Sequence, residues 1–533
     1  MTRKWWTLTA VAVATFMLIL DITVVNTALP TIARDLHGSF TDVQWVVDAY
    51  ALALAAFVLT AGSLGDRLGR RRVFLAGLGI FTIASLLCGI SATAVELNIA
   101  RALEGIGAAV MFAVSLALLA HDWRGAERAT ATAVYGASIG VAIAIGPLIG
   151  GVLTSGPGWR WIFFLNVPVG IATAWITTSR IAESRDEAAR SVDWAGAITF
   201  CAANFLLVFA LLRGNDYGWT SARILGLFAL SLVLFAAFAV LERRAAQPML
   251  PLGLFRTPAF TGAQLVAVAI SGSVFAEFLY ITLYMQEILH LSPLQAGLRY
   301  LPSTVTAFLV AAATAGLQRR VAPRYTLAAG LVLAGAGMLA LSGVGPNDPW
   351  TVILPGGILI GVSLGLVNPV LANVALSAAP ERISGVASGT NDTFRQGAVA
   401  AGVAGLGALL IALDRQFITS QVPGLGGHAA VSLAEAGASG GLPSGLPGAL
   451  LEAARAGFTH GFDVAAVVAA ALALAGALAA LLLVRDRDLV HAEVADPVAH
   501  RAGGASLVLL ADQGSLAPLH GQALHEPDPR PND

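Results

Sequence analysis

Several charged side chains stand inside long apolar stretches of this sequence, where an ionisable group is expensive. Asp21 lies in the run that begins at Trp6, Asp48 near the start of the next, Arg101 and Glu104 in the fourth, and Glu277 in the stretch FAEFLYITLYMQ. At the centre of a membrane helix such a group costs about 2.5 to 3.5 kcal/mol on insertion scales, so each needs a partner or a purpose. Asp21, Asp48, Arg101 and Glu104 are the candidates for proton coupling. Burial favours the protonated form of a carboxylate and a nearby guanidinium favours the ionised form, so relative motion of the two converts shape change into proton uptake and release. A static ion pair is the alternative for the same residues. Glu277, with Tyr280, Tyr284 and Asn26, makes a candidate solute cavity, in which Glu277 would hold a cationic group or a second proton. A hydrogen bond to a neighbouring helix is the plainer account of Glu277, and Asp392 and Arg395, three apart, read most simply as neutralising each other.

The elements that must carry these residues are membrane helices. About 20 apolar residues cover the hydrocarbon core at 1.5 Å per residue, and a lipid-facing backbone must satisfy its own hydrogen bonds. About fourteen runs meet that length, from Trp6 to Ala28 through Gly385 to Leu413 and, last, Phe462 to Val484. An all-α polytopic membrane protein follows. Residues 1–180 hold six spans, 181–259 two more with linkers, and 260–484 the last six, with an external loop over 414–461; 485–533, polar and rich in His, Asp and Pro, reads as a disordered tail. Arginine crowds the loops on one side, at Arg67, Arg70 to Arg72, Arg124, Arg128, Arg243, Arg244, Arg319, Arg320 and Arg324 among others. Short loops rich in Arg stay cytoplasmic, so both termini are expected inside.

Composition agrees. The chain is 57% hydrophobic and 12% charged over 533 residues, against about 25% charged in soluble domains. The first apolar run is too long for a signal peptide and many similar runs follow it, so it is expected to be a retained span. A net charge of −1 points to no nucleic acid or charged macromolecule. Lys4 is the sole lysine, which leaves no Walker A loop and hence no ATP motor. No metal-ligand or Ser-His constellation stands out, Cys88 and Cys201 both fall in apolar runs, and no cofactor is expected beyond a proton gradient.

Gly62 to Arg72 reads GSLGDRLGRRR and resembles the signature loop of the major facilitator superfamily, with Gly62, Asp66, Arg67, Gly69, Arg70 and Arg71 in the matching places. Its glycines permit a tight turn, and its charges can form contacts that break when two halves rock. GLQRRVAPR, at Gly316 to Arg324, is a weaker echo without the aspartate, at the place a tandem six-helix repeat predicts. LDITVVNTALP, QWVVDAYALALA and RALEGIGAA are similar to segments of the fourteen-span drug:proton antiporter branch, although Asp48 in the second and Glu104 in the third replace uncharged residues common there. GVAIAIGPLIGG, with Gly140, Gly146, Pro147, Gly150 and Gly151, resembles the motif of antiporters rather than symporters, and its four-residue spacings predict close helix packing intolerant of bulk.

The resemblance implies a major facilitator fold of two six-helix bundles plus two inserted helices. It also implies a coupling role for the first-helix acid and the fourth-helix arginine. The expected activity is proton-coupled export of small lipophilic compounds, drugs, antibiotics or secondary metabolites, across a bacterial cytoplasmic membrane by a monomer. A symporter on the same fold is the nearest alternative; a membrane-embedded enzyme or a sensor is further off.

Overall fold

The structure, a computed structural model, describes residues 2–36, 40–123, 126–185, 192–318, 320–422, 427–439 and 446–490. The helices are α1 (Arg3–Asp35), α2 (Phe40–Leu68), α3 (Arg70–Ile90), α4 (Ala94–Asp122), α5 (Ala126–Ser155), α6 (Arg160–Arg180, with a turn at Leu165), α7 (Trp194–Tyr217) and α8 (Ala222–Arg244). They continue as α9 (Pro258–Ile288), α10 (Pro293–Leu317), α11 (Pro323–Leu341), α12 (Leu354–Ser377), α13 (Ser384–Gln421) and α14 (Gly448–Leu483). Thirteen of these are long and apolar enough to cross a bilayer, and α5, a 30-residue helix, completes the set. Among the described residues there is no strand.

Two separate cores hold two bundles. One joins Met17, Phe74, Phe81, Phe112 and Tyr135 of α1 to α5. The other joins Tyr284, Leu331, Met338, Leu371 and Phe462 of α9 to α14. The apolar side chains left outside, such as Ile83, Trp175, Leu232 and Val233, belong against acyl chains rather than water. The halves meet along two seams, α2 against α13 and α5 against α10 and α12. Helices α7 and α8 lie over the first seam: Ala197, Phe200 and Phe238 pack with Leu59 of α2 and Val386 of α13.

The segment 414–461 is mostly helical, not an external loop. α13 runs on to Gln421, a further helix spans Gly427–Ser439, and α14 begins at Gly448. The middle helix buries Ala430, Leu433 and Ala434, an i, i+3, i+4 stripe, against Ile418 and Ala454. Its high alanine content favours helix, and the packing of that stripe overrides the glycines that read as loop. The tail from residue 491 lies outside the described residues.

Candidate functional site

Helices α1 and α4 bring Asp21, Arg101 and Glu104 together. Arg101 Nη1 donates to Asp21 Oδ2 at 2.5 Å and to Glu104 Oε2 at 2.7 Å, while its Nε donates to the Val46 carbonyl of α2 at 3.0 Å. All three side chains are at most 2% exposed. The spacing of Arg101 and Glu104, i and i+3 on one helix face, makes their contact local; Asp21 arrives from a helix 80 residues earlier. Tyr50 closes one side, its ring 4.2 Å from the guanidinium carbon.

The surrounding shell was not legible beforehand. Asn166 of α6 donates through Nδ2 to Asp21 Oδ1 at 3.2 Å and to Ser85 Oγ of α3 at 3.0 Å, and Ser85 Oγ donates to the Phe163 carbonyl at 3.1 Å. Cys88 Sγ donates to Glu104 Oε2 at 3.4 Å. Asn166 stands in the apolar stretch WIFFLNVPVG, and that placement was the available signal. The cluster has one guanidinium against two carboxylates. With every group ionised its net charge is −1, so one proton makes it neutral. An unbalanced buried charge is worth several kcal/mol, which makes the occupancy of that proton a strong lever.

Asp48 takes a different partner. Its carboxylate meets Arg213 of the inserted helix α7 at 3.0 Å, and Arg213 also lies over the Trp45 ring at 4.4 Å. Both charges are nearly buried. The position expected to join the Asp21 cluster instead fastens α7 to α2. Removing either partner alone leaves a buried charge uncompensated, at a cost of about 3 kcal/mol. Thermal unfolding in detergent is therefore expected to show a large loss for Asp48→Leu or Arg213→Leu singly and a smaller one for the double variant.

The glycine- and arginine-rich turn joins the halves. Asp66 Oδ1 accepts from Arg70 Nη2 at 2.7 Å and from the Gly385 N–H at 3.0 Å, and its Oδ2 accepts from the Val386 N–H at 2.9 Å. A carboxylate from one bundle thus caps the start of α13 in the other, where helix N–H groups lack internal partners and the dipole favours an anion. Arg70 Nη2 also donates to the Arg382 carbonyl at 3.2 Å, and Arg67 donates to the carbonyls of Gln247 and Pro248. Gly69 has φ 112°, a left-handed conformation that a side chain would strain. Beyond it Glu183 caps α3 through the N–H groups of Arg71 and Arg72. Gly62 lies against the Gly385 carbonyl so closely that a methyl group could not be inserted.

The α5 glycines divide. A methyl group on Gly146 would collide with the side chain of Thr23, two residues past Asp21. Gly140 and Gly151 have open space where a Cβ would go, which corrects the expectation that all of them resist bulk; Gly150 is buried, and the Pro147 side chain lies outside the described ones. The azimuth of each glycine decides this, not the spacing. Gly146→Leu should therefore lower yield and melting temperature sharply, while Gly151→Leu should leave both near wild type.

In the second bundle Glu277 is fully buried, and neither carboxylate oxygen has a hydrogen-bond partner among the described residues. Two π-helical turns, Ser271–Phe275 and Tyr284–Ile288, bracket its helical segment, a distortion frequent at functional sites. The tyrosines beside it are packing groups, contrary to expectation. Tyr280 donates to the Val403 carbonyl of α13 at 2.5 Å, and Tyr284 donates to the Gly345 carbonyl at 2.9 Å and stacks on Phe462. The side chain of Asn26 lies outside the described ones. Asp414, which fell in the expected loop, is fully buried in α13 beside Gly457, with neither oxygen bonded among the described residues.

Two helical bundles meeting along a polar-capped seam, with charge clusters buried in membrane-spanning helices, are the architecture of a polytopic membrane transporter. The model of the Major Facilitator Superfamily matches residues 11–403. The chain belongs to that family. It is 33% identical over 450 residues to the tetracenomycin C resistance and export protein of Streptomyces glaucescens, covering 82% of each chain. It is 34% identical over 446 residues to a puromycin resistance protein of Streptomyces alboniger, covering 82% of this chain and 85% of the relative. Among solved structures, the human organic anion transporter MFSD10 shares the fold, with a TM-score of 0.55 and 16% identity over 88% of this chain and 99% of that one.

Proposed function

We propose that the chain is a proton-coupled antiporter that exports small lipophilic compounds across a bacterial cytoplasmic membrane, both termini facing the cytoplasm. The observation that carries the proposal is the buried Asp21–Arg101–Glu104 cluster, one carboxylate in excess of its cation. The relatives named for antibiotic resistance and export support the direction of transport and the class of solute. The arginine-rich loops support a cytoplasmic location for the Asp66 contacts, where the halves are joined, and on that reading this conformation is closed to the cytoplasm.

In that cycle a proton from outside neutralises the excess carboxylate of the cluster and relaxes its hold on Arg101. The bundles then rock about the seam, the Asp66 contacts part, and the solute enters from inside as the proton leaves. A proton crossing about 100 mV gains about 2.3 kcal/mol, which sustains roughly a fifty-fold gradient of a neutral solute.

Reconstituted vesicles with an acidic lumen and the cytoplasmic face outward test this with puromycin and tetracenomycin C as solutes. An antiporter accumulates solute in the lumen until an ionophore collapses the pH difference. Solute leaving the lumen with the protons would instead make the chain a symporter, and no pH-driven flux would end the proposal.

A further inference from the structure

A second polar cluster lies on the seam itself, separate from the Asp21 site. Asp392 of α13 is 2% exposed, and its Oδ2 is buried with no hydrogen-bond partner among the described residues. Arg395, three residues on, is half-buried and donates through Nη2 to Asn368 Oδ1 of α12 at 3.3 Å; its guanidinium lies 5.6 Å from the Phe275 ring, in the first π-helical turn of α9. The other bundle faces this group. Tyr135 of α5 is buried within electrostatic range of both Asp392 and Arg395, and its hydroxyl faces that of Thr15 in α1. Gly136, next to Tyr135, abuts Asn368 and Pro369 of α12, which places the two faces against each other.

Asp392 is seven residues past Gly385, about 10 Å along α13 from the Asp66 contacts. The cluster therefore sits just inside the closed end, where a solute entering between the parted halves would arrive. Buried hydrogen-bonding atoms without partners are uncommon and costly, so the unmet Asp392 oxygen on the seam between the bundles points to a ligand that donates to it. Its chemistry follows from charge. Arg395 balances Asp392, so the cluster carries no net charge to attract a cation, and Asp392 needs a true hydrogen-bond donor while Arg395 offers donors to an acceptor.

We infer that Asp392 and Arg395 form a recognition site for neutral aromatic solutes that carry a hydroxyl donor and a carbonyl acceptor. The site disfavours quaternary cations, which have no donor for Asp392 and set a positive charge beside Arg395. The inference rests on the exporter reading for the identity of the solute.

The test uses the full-length protein in lipid nanodiscs and three probes: 2-hydroxyanthraquinone in mildly acidic buffer, anthraquinone without the hydroxyl, and ethidium. Wild type should bind the hydroxylated probe roughly ten-fold more tightly than the bare one, the range of a hydrogen bond to a charged group. Asp392→Leu removes an unpaired buried acceptor and should erase that difference. Asp392→Asn keeps an acceptor oxygen but loses its charge and should cut the difference to about three-fold, and serves where the leucine variant does not fold. Arg395→Gln makes the cluster anionic and should raise ethidium affinity at least five-fold. A hydroxyl preference that survives Asp392→Leu, or ethidium binding indifferent to Arg395→Gln, overturns the assignment. Flux and probe binding measured on the same wild-type protein separate this from the exporter reading. Intact probe discrimination in the wild-type protein without pH-driven flux would sink the export mechanism and leave this site standing.

Discussion

Asp21→Asn is expected to lower uphill export at least ten-fold while leaving insertion, melting temperature and solute binding near wild type. Asparagine has nearly the shape of aspartate and keeps an oxygen for Arg101, its amide can donate to Asn166 once that side chain turns its own oxygen inward, and Glu104 still balances the guanidinium, so no buried charge is orphaned. What disappears is the excess carboxylate, and with it the proton that can come and go. The measurement is solute accumulation in acid-lumen vesicles together with proton flux from a trapped pH dye. Arg101→Met is the contrasting variant: it leaves two carboxylates without a cation and should fail as a folded protein. Glu104→Gln should also remove the excess charge, but from the carboxylate that shares a helix with Arg101 rather than the one that bridges two helices. Uphill export unchanged in the Asp21 variant would remove this residue from the mechanism.

Gly62→Val should cost transport at least as much, by a different route. The added carbons would enter the space of the Gly385 carbonyl, and a backbone atom within a helix cannot rotate aside. α2 and α13 would be held apart at the end where Asp66 caps α13, so the conformation described here could not form. Pulsed electron resonance between spin labels on that end of the two bundles should report a longer separation, with solute counterflow reduced at least ten-fold. Asp66→Asn is the milder comparison, since an amide oxygen still accepts one N–H of α13 but gives up the charged contact with Arg70. A wild-type distance distribution in Gly62→Val would show that α2 and α13 can close without this near contact.

Much of the architecture was written in composition and run length, because hydrocarbon imposes a fixed thickness and demands that the backbone satisfy itself. The helical spans, the glycine-rich turn and the set of intramembrane charges are all visible in the linear chain. Arg101 and Glu104 were recognisable as neighbours since three residues share a helix face. Partners from distant helices were not. Asp21 meeting Arg101, Asp48 meeting Arg213, and Asn166 reaching Asp21 all depend on how each helix is turned about its axis. In helices apolar on every side, such as α1 and α12, the pattern of residue types carries little information about that rotation.

The same limit explains Gly140 and Gly151, which share the spacing of Gly146 but not its neighbour, and Tyr280 and Tyr284, whose hydroxyls are taken up by carbonyls of other segments. It explains the helix Gly427–Ser439 as well, where a short apolar stripe acquires meaning only once Ile418 and Ala454 stand opposite it. The chain by itself settled which residues live in the membrane and which of them are too costly to be idle, because lipid prices every charge by its surroundings alone. Which charge answers which was decided by tertiary packing, because a contact between helices requires two rotations and a depth that no single helix encodes.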